Sequence, residues 1–238
     1  MQIYENMTIL ITGASKGIGF EMVKLFSQSQ NTFVVAVSRN IDPLTKLVNQ
    51  KNTHSVLPVK ADITNPTDQK KIIKTLKTLG LKIDVLINNA GEIINKPFEK
   101  ITGKELQSVY NTNVFGPFTL IQSLLPFFHK KNRSHIVNIS SMGGFQGSSK
   151  FPGLSAYSSS KAALGGLTEC LAEELKPKNI SVNCLAIGAV QTEMLIKAFP
   201  GYKAPLKANE MADFICNFAL TGHKYFNGKI IPVSSSTP

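Results

Sequence analysis

Tyr157 and Lys161 stand four residues apart in SAYSSSKAALGGLTECLAEEL, a segment with helical spacing. Residues at i and i+4 share a helix face. A free tyrosine titrates at about 10, too high to exchange protons at neutral pH. An ammonium beside it favours the phenolate by Coulomb attraction. Such a tyrosine can give a proton to a carbonyl oxygen during reduction, or take one from an alcohol during oxidation. The same pair on an exposed helix would do no chemistry, so it needs company. Ser140 and Ser141 close the strand-like run that begins at His135, at the carboxyl edge where open parallel sheets bind ligands. A serine hydroxyl there can hold a substrate oxygen for hydride attack. Asn113, in YNTNVFGPF, falls mid-helix by pattern among apolar neighbours. It reads either as a satisfied core asparagine or as a residue that holds water in a proton relay.

A second constellation lies at the first apolar run. MTILIT is followed by GASKGIGF, which places Gly13, Gly17 and Gly19 between a strand and a helix. Glycine at such a turn takes conformations closed to other residues and lets backbone N–H groups approach a pyrophosphate. The helix N-terminus adds partial positive charge. The spacing is GxxxGxG rather than the general GxGxxG. The end of the second strand then selects the dinucleotide. A carboxylate there binds a ribose 2′-hydroxyl, whereas arginine accommodates a 2′-phosphate. The chain reads VVAVSRN, with Ser38 and Arg39 and no carboxylate, and Lys16 adds a charge inside the glycine loop. These cations suit a phosphate, so NADP(H) is the expected cofactor rather than NAD(H).

The elements that must position these residues follow from apolar patterning. Strand-like runs at 7–12, 32–38, 54–60, 83–89, 135–140, 180–186 and 229–233 are short, rich in Ile and Val, and mostly continuous. Strands buried on both faces of a parallel sheet read this way. Helical patterns at about 16–29, 42–52, 66–79, 102–130, 156–177 and 207–220 fill the gaps. Repeated βαβ units imply an α/β fold: a Rossmann-type, doubly wound parallel sheet of about seven strands, with helices on both faces. No linker divides the chain, which reads as one domain over 1–238. Asn65 is placed to cap the third helix with Pro66 at its first position. Pro177 is placed to stop the sixth.

Composition excludes several other classes. The 238 residues are 42% hydrophobic and 17% charged, too apolar for a disordered chain. Three cysteines and four histidines at scattered positions form no disulfide framework and no ordinary metal-ligand spacing. No apolar run approaches a membrane span. The opening residues show no basic segment or cleavage site, so a reducing, cytoplasmic setting is expected. Lys and Arg number 26 against 15 Asp and Glu, a formal +11. The lysines are scattered, with Lys70, Lys71, Lys74 and Lys77 along one exposed helix side, so no nucleic-acid partner is expected.

TGASKGIG (12–19), ADI (61–63), NNAG (88–91), NTNVFG (111–116), ISS (139–141), YSSSK (157–161) and VNCLAIGAVQT (182–192) occur in that order. In this the chain resembles the short-chain dehydrogenase/reductase family, in its single-domain branch, over almost its whole length. The resemblance implies a catalytic tetrad of Asn113, Ser141, Tyr157 and Lys161, with Lys161 also holding the nicotinamide ribose. It implies Gly13, Ser15, Lys16, Ile18 and Gly19 along the pyrophosphate and adenosine side, with Asp62 and Ile63 at the adenine. Asn89, Ala90 and Gly91 would support the central strand and cofactor ribose, and Ile187, Gly188 and Thr192 would meet the nicotinamide and its carboxamide. It also favours a homodimer or homotetramer.

Three departures from the family pattern stand out. Ser141 and Tyr157 lie 16 positions apart, which marks a small insertion and leaves Ser140 as a rival oxygen ligand. Ile187-Gly188 replaces the usual Pro-Gly, and the C-terminal VSSSTP lacks a glycine pair. Ile93, Ile94, Met142, Phe145, Phe151, Met194 and Phe199 are candidate pocket walls. Only 17 residues separate Thr192 from Glu210, so a short lid and a modest, partly apolar carbonyl or alcohol substrate are expected. The rival reading is a dinucleotide-sensing regulator on the same fold that does no chemistry.

Overall fold

The computed structural model describes residues 7–51, 55–129 and 132–234. The Ile- and Val-rich runs form β1 (Met7–Thr12), β2 (Thr32–Ser38), β3 (Val56–Lys60), β4 (Val85–Asn88), β5 (Ser134–Ser141) and β6 (Ile180–Ile187). A two-stranded outlier, β7 (Val190–Gln191) with β8 (Leu206–Lys207), precedes the last strand, β9 (Ile230–Val233). The main sheet has seven strands in the order β3-β2-β1-β4-β5-β6-β9. Every pairing in it is parallel. Chain direction across the sheet reverses between β1 and β4, and such a switch point opens a crevice at the strands' carboxyl ends.

The helices are α1 (Gly17–Phe26), α2 (Asp42–Lys51), α3 (Pro66–Thr78), α4 (Gly103–Tyr110), α5 (Gly116–Leu124), α6 (Ser155–Glu174), α7 (Glu193–Ala198) and α8 (Ala208–Thr221). One core joins Ile9, Ile11, Val85, Ile87 and Val137 to α1, α2 and α8. The other joins Leu10, Leu86, Ile136 and Val182 to α3, α5 and α6. Because alternate residues of one strand serve opposite cores, strands such as β1 and β5 must be apolar nearly throughout. The doubly wound sheet expected from the sequence is the one observed.

Local signals set several boundaries. Asn65 Oδ1 accepts from the N–H of Thr67 and Asp68 at 2.8 and 3.4 Å, with Pro66 leading α3. Thr102 and Glu105 form a reciprocal capping box on α4. Three expectations need correction. The helix expected over 102–130 is α4 and α5 joined by a π-helical turn, Asn111–Phe115, then a 3₁₀ turn, Leu125–Phe127. The sixth helix ends at Glu174, and Pro177 lies inside a separate 3₁₀ turn, Lys176–Lys178. The expected 54–60 strand begins at Val56, and part of its start lies outside the described residues. The segment before α8 holds α7 and the β7–β8 pair, elements too short to leave a periodic signal.

His135, on β5, is buried against α8. Its Nδ1 lies 2.9 Å from the Ala219 carbonyl and its Nε2 3.0 Å from Asn183 Nδ2. Burial lowers its pKa to about 4, and the nearby His223 and Arg133 add to the effect against the Ala219 carbonyl. The folded value lies below the unfolded one, so the fold prefers the neutral ring. Stability should be whole above pH 6.5 and should decline as pH falls from 6.5 toward 4, by about 3 kcal/mol in total. Urea unfolding across this window, with the His135 ring followed by NMR, checks it. A ring midpoint at the free-histidine value of 6.5 would contradict the assignment.

Candidate active site

The crevice at the switch point is held open by side chains that satisfy the parting strands. Thr12 Oγ1 accepts from the N–H of Asn89 and of Ala90, each at 3.1 Å. Asn89 Nδ2 donates to the carbonyls of Thr12 and Gly13, each at 3.1 Å. This pins the glycine turn to the end of β4. Gly13 has φ +66°, and a Cβ there would lie 2.7 Å from Ala90 Cα. A Cβ on Gly19 would lie 2.2 Å from the Gly13 carbonyl oxygen. Both positions therefore require glycine. The residue preceding α1, Lys16, places no side-chain cap on the helix, so the first N–H groups of α1 face the crevice.

A cleft of about 460 Å³ runs from this turn to Tyr157 and Lys161. Gly13, Ser15, Lys16 and Ile18 line one end, with Arg39, Asp62 and Ile63 around them. Asn89, Ala90 and Gly91 line the middle, and Ile187 and Thr192 face them. Of the remaining residues expected at the site, Gly19 backs the turn, and Gly188 donates its N–H to Val233 O at 2.9 Å. The first part of the cleft fits an anion over an open helix N-terminus. At the end of β2, Ser38 Oγ donates to Ser15 Oγ at 2.7 Å. Arg39 is 77% exposed at the rim, 4.0 Å from Asp62. Lys16 points across the cleft to Glu193 at 3.9 Å, an exposed pair. Exposed pairs of this kind contribute little and exchange partners readily.

At the other end, α6 packs on β5 and buries Lys161, which is 4% exposed. Its Nζ donates to the Ile139 carbonyl at 2.8 Å and lies 5.9 Å from the centre of the Tyr157 ring. Burial lowers the Lys161 pKa to about 8. Tyr157 is half-buried, and its pKa is raised by burial, with a hydrogen bond to Ser141 opposing that. The ammonium was expected to favour the phenolate. In this structure the pKa is raised instead, by burial against the Ser141 hydrogen bond, so Tyr157 rests as the protonated phenol.

The two serines differ in their bonds, and it is Ser140 that lines the cleft wall. Ser140 is buried and its hydroxyl donates to the Lys161 carbonyl at 2.8 Å. Ser141 Oγ accepts from Gly143 N–H at 3.2 Å and bonds the Tyr157 hydroxyl. Ser141 is thus the serine beside the tyrosine, and Ser140 fastens α6 to β5.

Asn113 sits in the π-helical turn, fully buried. Its Oδ1 accepts from Glu92 N–H at 2.8 Å, and its Nδ2 donates to Glu92 O and Ser160 Oγ, each at 2.9 Å. Of the two readings open at this residue, the side chain matches the satisfied core asparagine. The sequence reading missed Glu92. Its carboxylate accepts from Ser108 Oγ at 2.9 Å and Thr112 Oγ1 at 3.1 Å, which ties the strand-end loop to the helical turn. The available signal was a hydroxyl pair at i and i+4 directly before Asn113. Among the expected pocket walls, Met142 is buried, Phe151 is exposed, and Ile93, Ile94, Phe145, Met194 and Phe199 are half-buried. Among the described residues, no cluster of His, Cys, Asp or Glu could hold a metal ion, and no helix is long and apolar enough to cross a membrane.

The chain belongs to the short-chain dehydrogenase family of oxidoreductases, whose model matches residues 7–203. It is 35% identical to the 3-oxoacyl-(acyl-carrier-protein) reductase of Thermotoga maritima over 213 residues, 87% of this chain and 81% of that one. It is 34% identical to an uncharacterized oxidoreductase of Staphylococcus saprophyticus, covering 82% of this chain and 78% of that one. Among solved structures, it is similar to a 3-ketoacyl-(acyl-carrier-protein) reductase from Brucella melitensis complexed with NADH. That match has a TM-score of 0.84 at 28% identity and covers 97% of each chain. An active-site complex of Pseudomonas aeruginosa RhlG with NADP matches at TM-score 0.84 and 25% identity, covering 100% of this chain and 99% of that one.

The buried ammonium carries a stability cost that can be measured. With its folded pKa near 8, against 10.5 for the free group, Lys161 opposes folding at neutral pH. Lys161→Met should remove that penalty while leaving the Ile139 carbonyl without its donor. A net gain of about 1–2 kcal/mol at pH 7 is expected in urea unfolding. The gain should shrink as pH rises from 8 to 10.5, where the lysine becomes neutral in both states. A variant less stable than the parent at pH 7 would show that the ammonium supports the fold.

Proposed function

We propose that this protein is an NADP(H)-dependent oxidoreductase that interconverts a carbonyl compound and an alcohol. The observation that carries the reading is the meeting of the Ser141 and Tyr157 hydroxyls with buried Lys161, at the far end of a cleft that begins over an uncapped helix N-terminus. The glycine cradle, which a Cβ would fill, and the cleft along Ser15, Asn89 and Ile187 fit a dinucleotide. When bound, the nicotinamide dinucleotide supplies or accepts the hydride at the substrate carbon.

This chain's residues handle the oxygen and the proton. In reduction, Ser141 donates to the carbonyl oxygen and holds it beside Tyr157. As negative charge grows on that oxygen, the Tyr157 hydroxyl gives up its proton to it. The resulting phenolate is stabilised by the Lys161 ammonium and is reprotonated from solvent. In oxidation the same proton moves the other way. Burial keeps Tyr157 protonated until charge develops next to it, which suits the reductive direction at neutral pH.

The relay from solvent has a specific starting point. Asn113 spends its side chain on Glu92 and Ser160, but the amide that would ordinarily close on its carbonyl belongs to Pro117, which has no N–H. In the proposed relay that carbonyl would hold a water. Around the adenosine end, Ser15, Ser38 and Arg39 would take the 2′-phosphate, Asp62 and Ile63 the adenine, and Lys16 would trade Glu193 for phosphate. Gly188 and Thr192 would meet the carboxamide. Of the expected apolar walls only Met194 lines the cleft, with Ile187 beside it, and we propose a modest, partly apolar substrate there.

Two measurements test this. Tyr157→Phe should bind the dinucleotide like the parent and lose about 10²–10⁴-fold in turnover across a panel of ketones, aldehydes, quinones and short 3-oxoacyl thioesters. Retained turnover would remove Tyr157 from the proton's path. Titration by nicotinamide fluorescence should show NADPH binding more tightly than NADH, and Arg39→Ala should narrow that gap by about tenfold. Equal binding in the parent protein would mean that Arg39 serves solvent alone.

A further inference from the structure

Three segments from distant parts of the chain come together at Asn95. They are the loop 91–97 after β4, the insertion 142–154 before α6, and the lid helix α7. Asn95 Nδ2 donates to the carbonyl of Ala198, the last residue of α7, at 2.8 Å. The next residue, Lys96, donates its N–H to Gly153 O at 2.9 Å. Gly153 has φ +85°, and a Cβ there would fall 2.1 Å from Asn95 Oδ1. Gly153 is two residues before α6 and four before Tyr157. One asparagine therefore connects the lid to the segment that leads into the tyrosine.

Besides partial burial of Met194, Leu195 and Ala198, α7 is held from its two ends. None of its six residues is buried. Its N-terminal end is fixed by Thr192 Oγ1, which accepts from Leu195 N–H at 3.3 Å, and by the exposed Lys16–Glu193 pair. Its C-terminal end meets the rest of the site through Asn95. A single exposed amide–carbonyl bond biases an equilibrium only about two- to tenfold, which suits a contact that must break and re-form.

We propose that Asn95 is a positioning residue that latches α7 over the substrate side of the cleft, so that the lid opens by breaking the Asn95–Ala198 bond. The proposal rests on the reading of the cleft as an oxidoreductase site, but its first test does not require activity. Asn95→Ala removes the donor. Asn95→Asp keeps the size and sets a carboxylate against the Ala198 carbonyl. Trypsin cleavage after Lys197, exposed within α7, is followed by intact mass in the full-length protein, with cleavage after exposed Lys77 as reference. Both variants should be cut about two- to tenfold faster after Lys197 and at the parental rate after Lys77. An unchanged rate at Lys197, or equal acceleration at both sites, overturns the latch. In carbonyl reduction the variants should raise KM more than they lower kcat, and a loss confined to kcat overturns it too. If no carbonyl is reduced by the parent protein, the functional reading fails while the proteolysis result still decides the latch.

Discussion

A lysine ammonium held between α6 and β5 sets the terms for the rest of this molecule. Bringing Lys161 to 4% exposure costs solvation that one carbonyl, that of Ile139, only partly restores. The depressed pKa, about 8, is the visible result. Its surroundings are arranged around that charge. Ser140 fastens the Lys161 backbone to the strand. A core chosen for stability alone would place an apolar residue at this position. Retention of a charge there at a cost to folding is the pattern of a site in which stability is traded for chemistry.

The second constraint is the switch point. Where β1 and β4 part, each loses a neighbour that would have paired its last backbone groups, and buried unpaired groups are costly. Thr12 and Asn89 take up those groups across the gap. The same bonds fix the glycine turn relative to the strand end that leads to Gly91 and Glu92. The glycine-turn end and the Tyr157 end of the cleft are thus referenced to one short stretch of backbone. The two ends keep their spacing without contact between them.

Much of this was legible before the structure. The seven strand runs are apolar because both faces of the sheet are covered, and the glycine loop, Tyr157 and Lys161 lie at the boundaries of those runs. Asn65 and Pro66 announced α3 by their own chemistry. What the sequence hid came from three-dimensional context. The π-helical turn needs only one extra residue in a helix, which leaves the apolar periodicity of 102–130 almost unbroken. Six-residue α7 is too short for a period to register. Ser140 and Ser141 are indistinguishable as a dipeptide, and only the alternation of a strand turns one toward α6 and the other toward Tyr157. Glu92 and Asn95 are surface-type residues in a loop, and their partners are supplied by segments 16 to 103 positions away. The sign of the Tyr157 shift was also out of reach, because it depends on how far burial outweighs the Ser141 hydrogen bond.

The π-helical turn shows how a residue expected to do chemistry can be spent on structure. Asn113 is hydrogen-bonded at both ends of its amide, so its side chain has little left to offer a water or a substrate. Those bonds do something else: they lock the turn against the loop at Glu92 and against Ser160, one turn along from Tyr157. Pro117, by lacking an N–H, leaves the carbonyl four residues earlier without its ordinary helical partner. The turn and the Glu92 clamp together fix the backbone at this position, and the side chain is spent on holding it still.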